Sequence, residues 1–123
     1  MMSSERTGIE TATVALVSLD IAGHVYQFPV HDSMKILVGR GNSAHPPTNG
    51  VVLDLIGVGS EDSGVSRRHA IVRVQGSETY LVDLGSTNGT FLNGRKVEAH
   101  KQHLLYSGDR IHFGRLETRI MLE

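Results

Sequence analysis

Apolar and polar residues alternate in short runs along this chain, and no long stretch repeats at helical spacing. Residues 13–19 are β-branched and apolar at Val14, Leu16 and Val17, and Asp20 to Gly23 supplies turn material. His24 to Val30 alternates, with Val25, Phe28 and Val30 apolar, and reads as the return strand of a hairpin. Lys35 to Arg40 holds Ile36-Leu37-Val38, residues 41–50 are loop by composition, and Val51 to Leu55 is a short strand. A second loop, Gly57 to Gly64, precedes strands over Ala70 to Val74 and Thr79 to Leu84, joined by Gly76-Ser77. Gly85 to Gly89 forms a tight glycine-bracketed loop. Thr90 to Leu92 then runs into Asn93-Gly94, a strong hairpin signal, with Arg95 to Val97 as its return. His103 to Tyr106, Arg110 to Phe113 and Thr118 to Leu122 complete the strands. Turn signals every 8 to 12 residues predict an all-β sandwich or barrel.

Composition narrows the classes without naming one. With 123 residues the chain suits one domain, and 39% hydrophobic and 20% charged residues are ordinary for a globular protein. The net charge of -1 gives no bulk attraction to nucleic acid or to a membrane surface, so any anion site must be local. There is no cysteine, which removes disulfides and thiolate metal sites and fits a reducing compartment. No apolar run approaches the roughly 20 residues of a membrane helix, and residues 1–10 lack an apolar signal core. A cytoplasmic location is expected. Residues 1–12 read as a flexible tail and 13–123 as the domain.

Three polar segments fall at the ends of strands. Arg40 follows Gly39 at a strand end, where a guanidinium can fork onto two phosphate oxygens; alone, it reads equally as a solvated surface arginine. Ser66-Arg67-Arg68-His69 opens a strand with a hydroxyl and two basic side chains, again suited to phosphate, or else a charged strand start with a packing histidine. Ser86-Thr87-Asn88-Gly89 lies between strands; Asn88 carries a carbonyl and an amide able to pair with both polar groups of a peptide backbone. A hydrolase built from Ser66, His69 and Asp83 lacks the sharp elbow around its serine. Gly59 to Ser66 has valine where a phosphate-binding loop needs lysine. His100 and His103 have neither cysteine nor a placed carboxylate beside them, and no metal site is expected.

In order along the chain, Gly39-Arg40, Ser66-x-x-His69 and Gly85-Ser86-Thr87-Asn88-Gly89-Thr90-Phe91-x-Asn93-Gly94 resemble the signature of the forkhead-associated (FHA) domain, over about Val14 to Leu122. The resemblance implies a β-sandwich of about eleven short strands, whose loops at one end bind a phosphothreonine peptide, with no catalysis and no cofactor. It implies that Arg40 bonds the phosphate, that Ser66 adds its hydroxyl and backbone amide, and that Arg67 and Thr87 lie beside the phosphate. It implies that Asn88 holds the ligand backbone, that His69 braces the loops from behind, and that Gly39 and Gly89 permit close backbone approach. The expected partner is a phosphothreonine-containing protein downstream of a Ser/Thr kinase, with neither nucleic acid nor membrane involved.

Residues 41–65 are longer than the family leads one to expect. They include the stiff, extended pair Pro46-Pro47; the loop as a whole is expected to border the peptide groove, which leaves the preferences after the phosphothreonine open. Glu61, Asp62, Gly64 and the turn at Gly114-Arg115 are the candidates for that selectivity. Two other functions compete: a phospho-independent interaction domain on the same sandwich, and, more distantly, the serine hydrolase. Thr7, Thr11 and Thr13 are candidate phosphorylation sites through which the tail can reach the domain's own cleft.

Overall fold

The computed structural model describes residues 14–31, 33–41 and 45–123. The tail assigned to 1–12 and the candidate threonines Thr7, Thr11 and Thr13 lie outside the described residues. Eleven strands form two packed sheets: β1 (Leu16–Ile21), β2 (His24–Pro29), β3 (Lys35–Gly39), β4 (Gly50–Asp54), β5 (Ala70–Gln75), β6 (Glu78–Asp83), β7 (Thr90–Leu92), β8 (Arg95–Lys96), β9 (His103–Leu105), β10 (Arg110–Phe113) and β11 (Leu116–Leu122). One sheet has the order β2-β1-β11-β10-β7-β8, the other β4-β3-β5-β6-β9. The expected all-β sandwich of about eleven strands is therefore what the chain forms.

Alternation sets which face each strand buries. Val17, Leu19 and Ile21 of β1 and Leu116, Thr118 and Ile120 of β11 point inward, while Glu117, Arg119 and Met121 face solvent. They meet Ile36, Val38, Val72, Val74 and Leu81 of the other sheet, with Ile111 and Phe113, in one dry core. The Asn93-Gly94 turn joins β7 to β8 with both residues at positive φ, 50° and 87°. That pair of angles suits the twist of a two-residue hairpin, and Asn and Gly adopt it at least strain.

Two expectations need correction. Ser60–Ser63, assigned to loop, is a single helical turn, α1; four residues are too few for a periodic signal. Of the 41–65 loop, Gly64 and Val65 line the groove, but the Pro46-Pro47 stretch lies away from it. Strand β4 runs parallel to β3, with Gly50 opposite Lys35 and Asp54 opposite Gly39. A parallel neighbour requires the chain to travel back along the whole strand before pairing. The extra residues make that return, and Pro47 lies against Gly50, at the end of β3 remote from Arg40.

Candidate functional site

The site forms where three connections meet at one end of the sandwich. The first is the end of β3. Strand β3 is almost wholly buried, and at Gly39 it passes so close to the segment before β5 that a Cβ there would overlap the Arg67 carbonyl oxygen. This is the close approach expected of Gly39. Beyond it, the Arg40 amide donates to both Ser66 O (3.1 Å) and Arg67 O (3.2 Å). The Arg40 side chain donates from Nε to Val65 O at 2.9 Å. That bond aims the guanidinium and leaves its two terminal nitrogens for a ligand. Asp54 Oδ1 accepts from the amides of Gly41 (2.8 Å) and Ile56 (3.0 Å), fixing the backbone on the far side of the arginine.

The second connection is Ser66 to His69. His69 is fully buried. Its Nδ1 accepts the Ser66 amide at 3.0 Å, so the ring proton sits on Nε2, which donates to Gly89 O at 2.9 Å. The ring also stands edge-on to Phe113, with centroids 5.6 Å apart. Burial lowers the His69 pKa below its ordinary 6.5, against smaller upward pulls from the Gly89 carbonyl and the Asp83 carboxylate. A neutral imidazole is the form this geometry needs, since a proton on Nδ1 would face an N–H. His69 thus joins the Ser66 amide to the Gly89 carbonyl across the two loops. One part of the Ser66 expectation fails: its amide is spent on His69 and does not face the cleft. Its hydroxyl accepts the Thr87 amide at 3.0 Å and keeps its own proton to donate.

The third connection, Gly85 to Gly89, is organised by Asp83. This carboxylate is buried, and it accepts four bonds: Gly85 N (2.9 Å) and Ser86 N (3.2 Å) on Oδ2, Ser86 Oγ (2.5 Å) and Thr90 Oγ1 (2.6 Å) on Oδ1. Burial pulls its pKa upward most strongly of any single effect. The four donors together outweigh burial and hold the pKa below the ordinary 3.8. Asp83 was considered at the sequence level only as a hydrolase member. The Asp-x-Gly-Ser spacing, an acceptor two and three residues before free amides, was the signal for its real role. Gly89 is required by its backbone, at φ 87°, rather than by a ligand's approach, and its carbonyl accepts both His69 Nε2 and the Gly114 amide (2.9 Å).

These connections enclose a cleft of about 450 Å³ lined by Arg40, Gly64, Val65, Ser66, Arg67, Thr87 and Asn88. All five residues assigned to phosphopeptide contact line it. Among the described residues the lining holds two guanidinium groups and no carboxylate. The carbonyls of Gly64, Val65, Ser66 and Arg67 are taken by Asn88 Nδ2 and by Arg40, so this wall presents few acceptors to repel an anion. Asn88 is partly engaged within the site. One of its two Nδ2 hydrogens is spent on Gly64 O at 3.0 Å, leaving Oδ1 and the second N–H for a peptide backbone. Arg68 is exposed and outside the lining. Of the selectivity candidates, Gly64 lines the cleft, while Asp62 and Arg115 meet beside it.

Ser66, His69 and Asp83 do not form a catalytic relay. Both His69 nitrogens bond backbone groups, Ser66 Oγ bonds an amide, and the Asp83 carboxylate is filled by the 85–90 loop. His103 Nε2 lies 3.3 Å from Glu98 O, and His100 sits beside Gly85. Among the described residues, no three His, Asp or Glu side chains could hold a metal ion together, and no helix is long and apolar enough to cross a membrane.

A sandwich with an anion-reading cleft between loops at one end is the architecture of a recognition domain. The FHA domain family model matches residues 36–114, and the chain belongs to that family. It is 32% identical over 114 residues to protein FraH of Nostoc sp., a match that covers 92% of this chain and only 37% of FraH. Among solved structures, one from a structural and functional study of phosphothreonine-dependent FHA domain interactions superposes with TM-score 0.63 at 32% identity, covering 88% of this chain and 97% of that one. The FhaA FHA domain complexed with the intracellular domain of another protein superposes with TM-score 0.58 at 32% identity, covering 85% of this chain and 98% of that one.

Proposed function

We propose that the chain is a phosphothreonine-peptide-binding module that recruits a phosphorylated partner in Ser/Thr kinase signalling. The observation that carries this reading is the convergence of Arg40, Ser66, Arg67, Thr87 and Asn88 on one cleft, whose described lining holds no carboxylate. A phosphothreonine brings roughly -1.5 to -2 charge and three acceptor oxygens at pH 7. Arg40 offers two terminal nitrogens, Ser66 a hydroxyl proton, Thr87 a second hydroxyl and Arg67 a mobile cation. Charge-assisted bonds of this kind contribute about 1.5–3 kcal/mol each. Asn88 Oδ1 accepts an N–H of the bound peptide and fixes its direction past the phosphate. The related domain studied for phosphothreonine-dependent interactions supports the same ligand class.

In this reading the module works without catalysis, metal or cofactor, in the cytoplasm, with 13–123 as the binding domain and 1–12 as its tail. The test is an oriented phosphopeptide library screened against the wild type and Arg40→Ala, followed by calorimetry on the best peptide and its unphosphorylated form. Selective capture of phosphothreonine sequences by the wild type alone is expected. Equal binding of both peptide forms would instead establish a phospho-independent interaction domain.

A further inference from the structure

Between β4 and β5 the chain leaves the sheet, makes the α1 turn and returns as the Gly64–Arg67 wall of the cleft. No strand ladder holds this excursion. Its carbonyls are gripped one after another by groups from elsewhere, and two of the grips come from a single residue outside the cleft. Arg115, in the β10–β11 turn, donates its amide to Ser63 O at 2.8 Å and its guanidinium to Asp62 O. The same turn reaches the opposite wall, because the Gly114 amide donates to Gly89 O at 2.9 Å. Gly114 is buried, and a Cβ on it would stand 2.5 Å from Ser63 O and 2.9 Å from Gly64 O. The excursion therefore lies directly on the turn.

We propose that the Gly114-Arg115 turn sets the spacing of the phosphothreonine cleft, with Arg115 as a positioning residue that never touches the ligand. The proposal rests on the phosphopeptide reading above. Ser63 and Asp62 are followed at once by Gly64, whose carbonyl anchors Asn88, and by Val65, whose carbonyl aims Arg40. Releasing Arg115 frees the wall to drift, and both ligand-facing side chains lose a fixed partner. This differs from a selectivity role for Arg115, in which its charge would read the peptide directly.

The experiment uses wild type, Arg115→Ala, Arg115→Lys, Gly114→Ala and Arg67→Ala. Amide hydrogen exchange is followed without ligand at Ser63, which donates to Gly59 O in the α1 turn, and at Ser66 and Thr87, which donate within the site. Calorimetry at low and high salt then uses the phosphothreonine peptide selected by the wild type. Arg115→Ala is expected to speed exchange at these amides and weaken binding about tenfold, a change of about 1.4 kcal/mol, with the salt dependence of the wild type. Gly114→Ala should do the same by pushing the wall, and Arg115→Lys should recover much of the loss by restoring a donor. Unchanged exchange overturns the proposal. So does a flattened salt dependence like that of Arg67→Ala, since it means that Arg115 meets the ligand's charge. If the wild type binds no phosphothreonine peptide, the phosphopeptide reading fails, and the exchange measurement still decides whether the turn holds the wall.

Discussion

Two walls face each other across one cleft and are fixed by opposite means. The Gly85–Gly89 wall is held mainly by its neighbour in sequence, one buried carboxylate that gathers four donors from Gly85, Ser86 and Thr90. The Gly64–Arg67 wall is held from without, by Arg40 and Asn88 gripping its carbonyls and by Arg115 gripping those of Asp62 and Ser63 just before it. The proposed phosphate site gives the difference a reason. A carboxylate can organise a loop beside a phosphate only if it is buried and saturated with donors, as Asp83 is. The wall that meets the phosphate most closely must hide its carbonyls and show hydroxyls and cations. His69 bolts the two together, accepting from Ser66 N on one side and donating to Gly89 O on the other.

The comparison can be broken one wall at a time. The largest effect is expected from Asp83→Ala, which strands the buried Thr90 hydroxyl and three further donors and should remove about 3–4 kcal/mol of stability. Urea denaturation would measure it; a loss under 1 kcal/mol would mean that the loop has another anchor. Arg40→Ala comes next. Losing a charged partner of the phosphate should weaken peptide binding by about 3 kcal/mol, more than a hundredfold, while circular dichroism shows an intact fold. Unchanged affinity by calorimetry would remove Arg40 from the site.

The bolt between the walls gives a pH signature. Because the folded-state pKa of His69 lies below 6.5, the unfolded chain takes up the proton first. Stability is therefore complete above pH 6.5 and falls as pH drops below it, by up to about 1.4 kcal/mol per unit. The Asp83 contribution has the depressed-carboxylate sign: it is present above 3.8 and lost only in stronger acid. Ligand-free denaturation between pH 7.5 and 5 should show the histidine slope, and His69→Ala should abolish it while lowering the melting temperature. Peptide affinity also falls through about pH 6, where the phosphate takes its second proton, so the two curves must be measured separately. The smallest effect on folding is expected from Arg67→Ala, within about 0.5 kcal/mol, since its side chain is exposed. It should instead weaken binding severalfold and flatten the salt dependence. A melting temperature lowered more than by His69→Ala would reverse the roles given to these two residues.

The alternating pattern and the turn residues were enough to place all eleven strands, because most strands bury alternate residues and each hairpin needs its own backbone chemistry. The ordered motif likewise pointed to Arg40, Ser66, Arg67, Thr87 and Asn88, five of the seven residues that line the cleft, while Val65, which lines it through its backbone, was not singled out. What the linear order could not show was partnership. The parallel pairing of β4 with β3 carried Pro46-Pro47 away from the groove. Burial turned Asp83 from a supposed catalytic partner into a loop anchor. Ser66 N met His69, removing a donor that the motif had offered to the ligand, and Asn88 spent one of its two Nδ2 hydrogens on Gly64 O. Arg115 joined Asp62 across 53 residues of chain. Side-chain identity is local and stays legible in the sequence. Which backbone group each side chain satisfies is decided only when distant segments share one buried space, because every donor and acceptor there must find a partner.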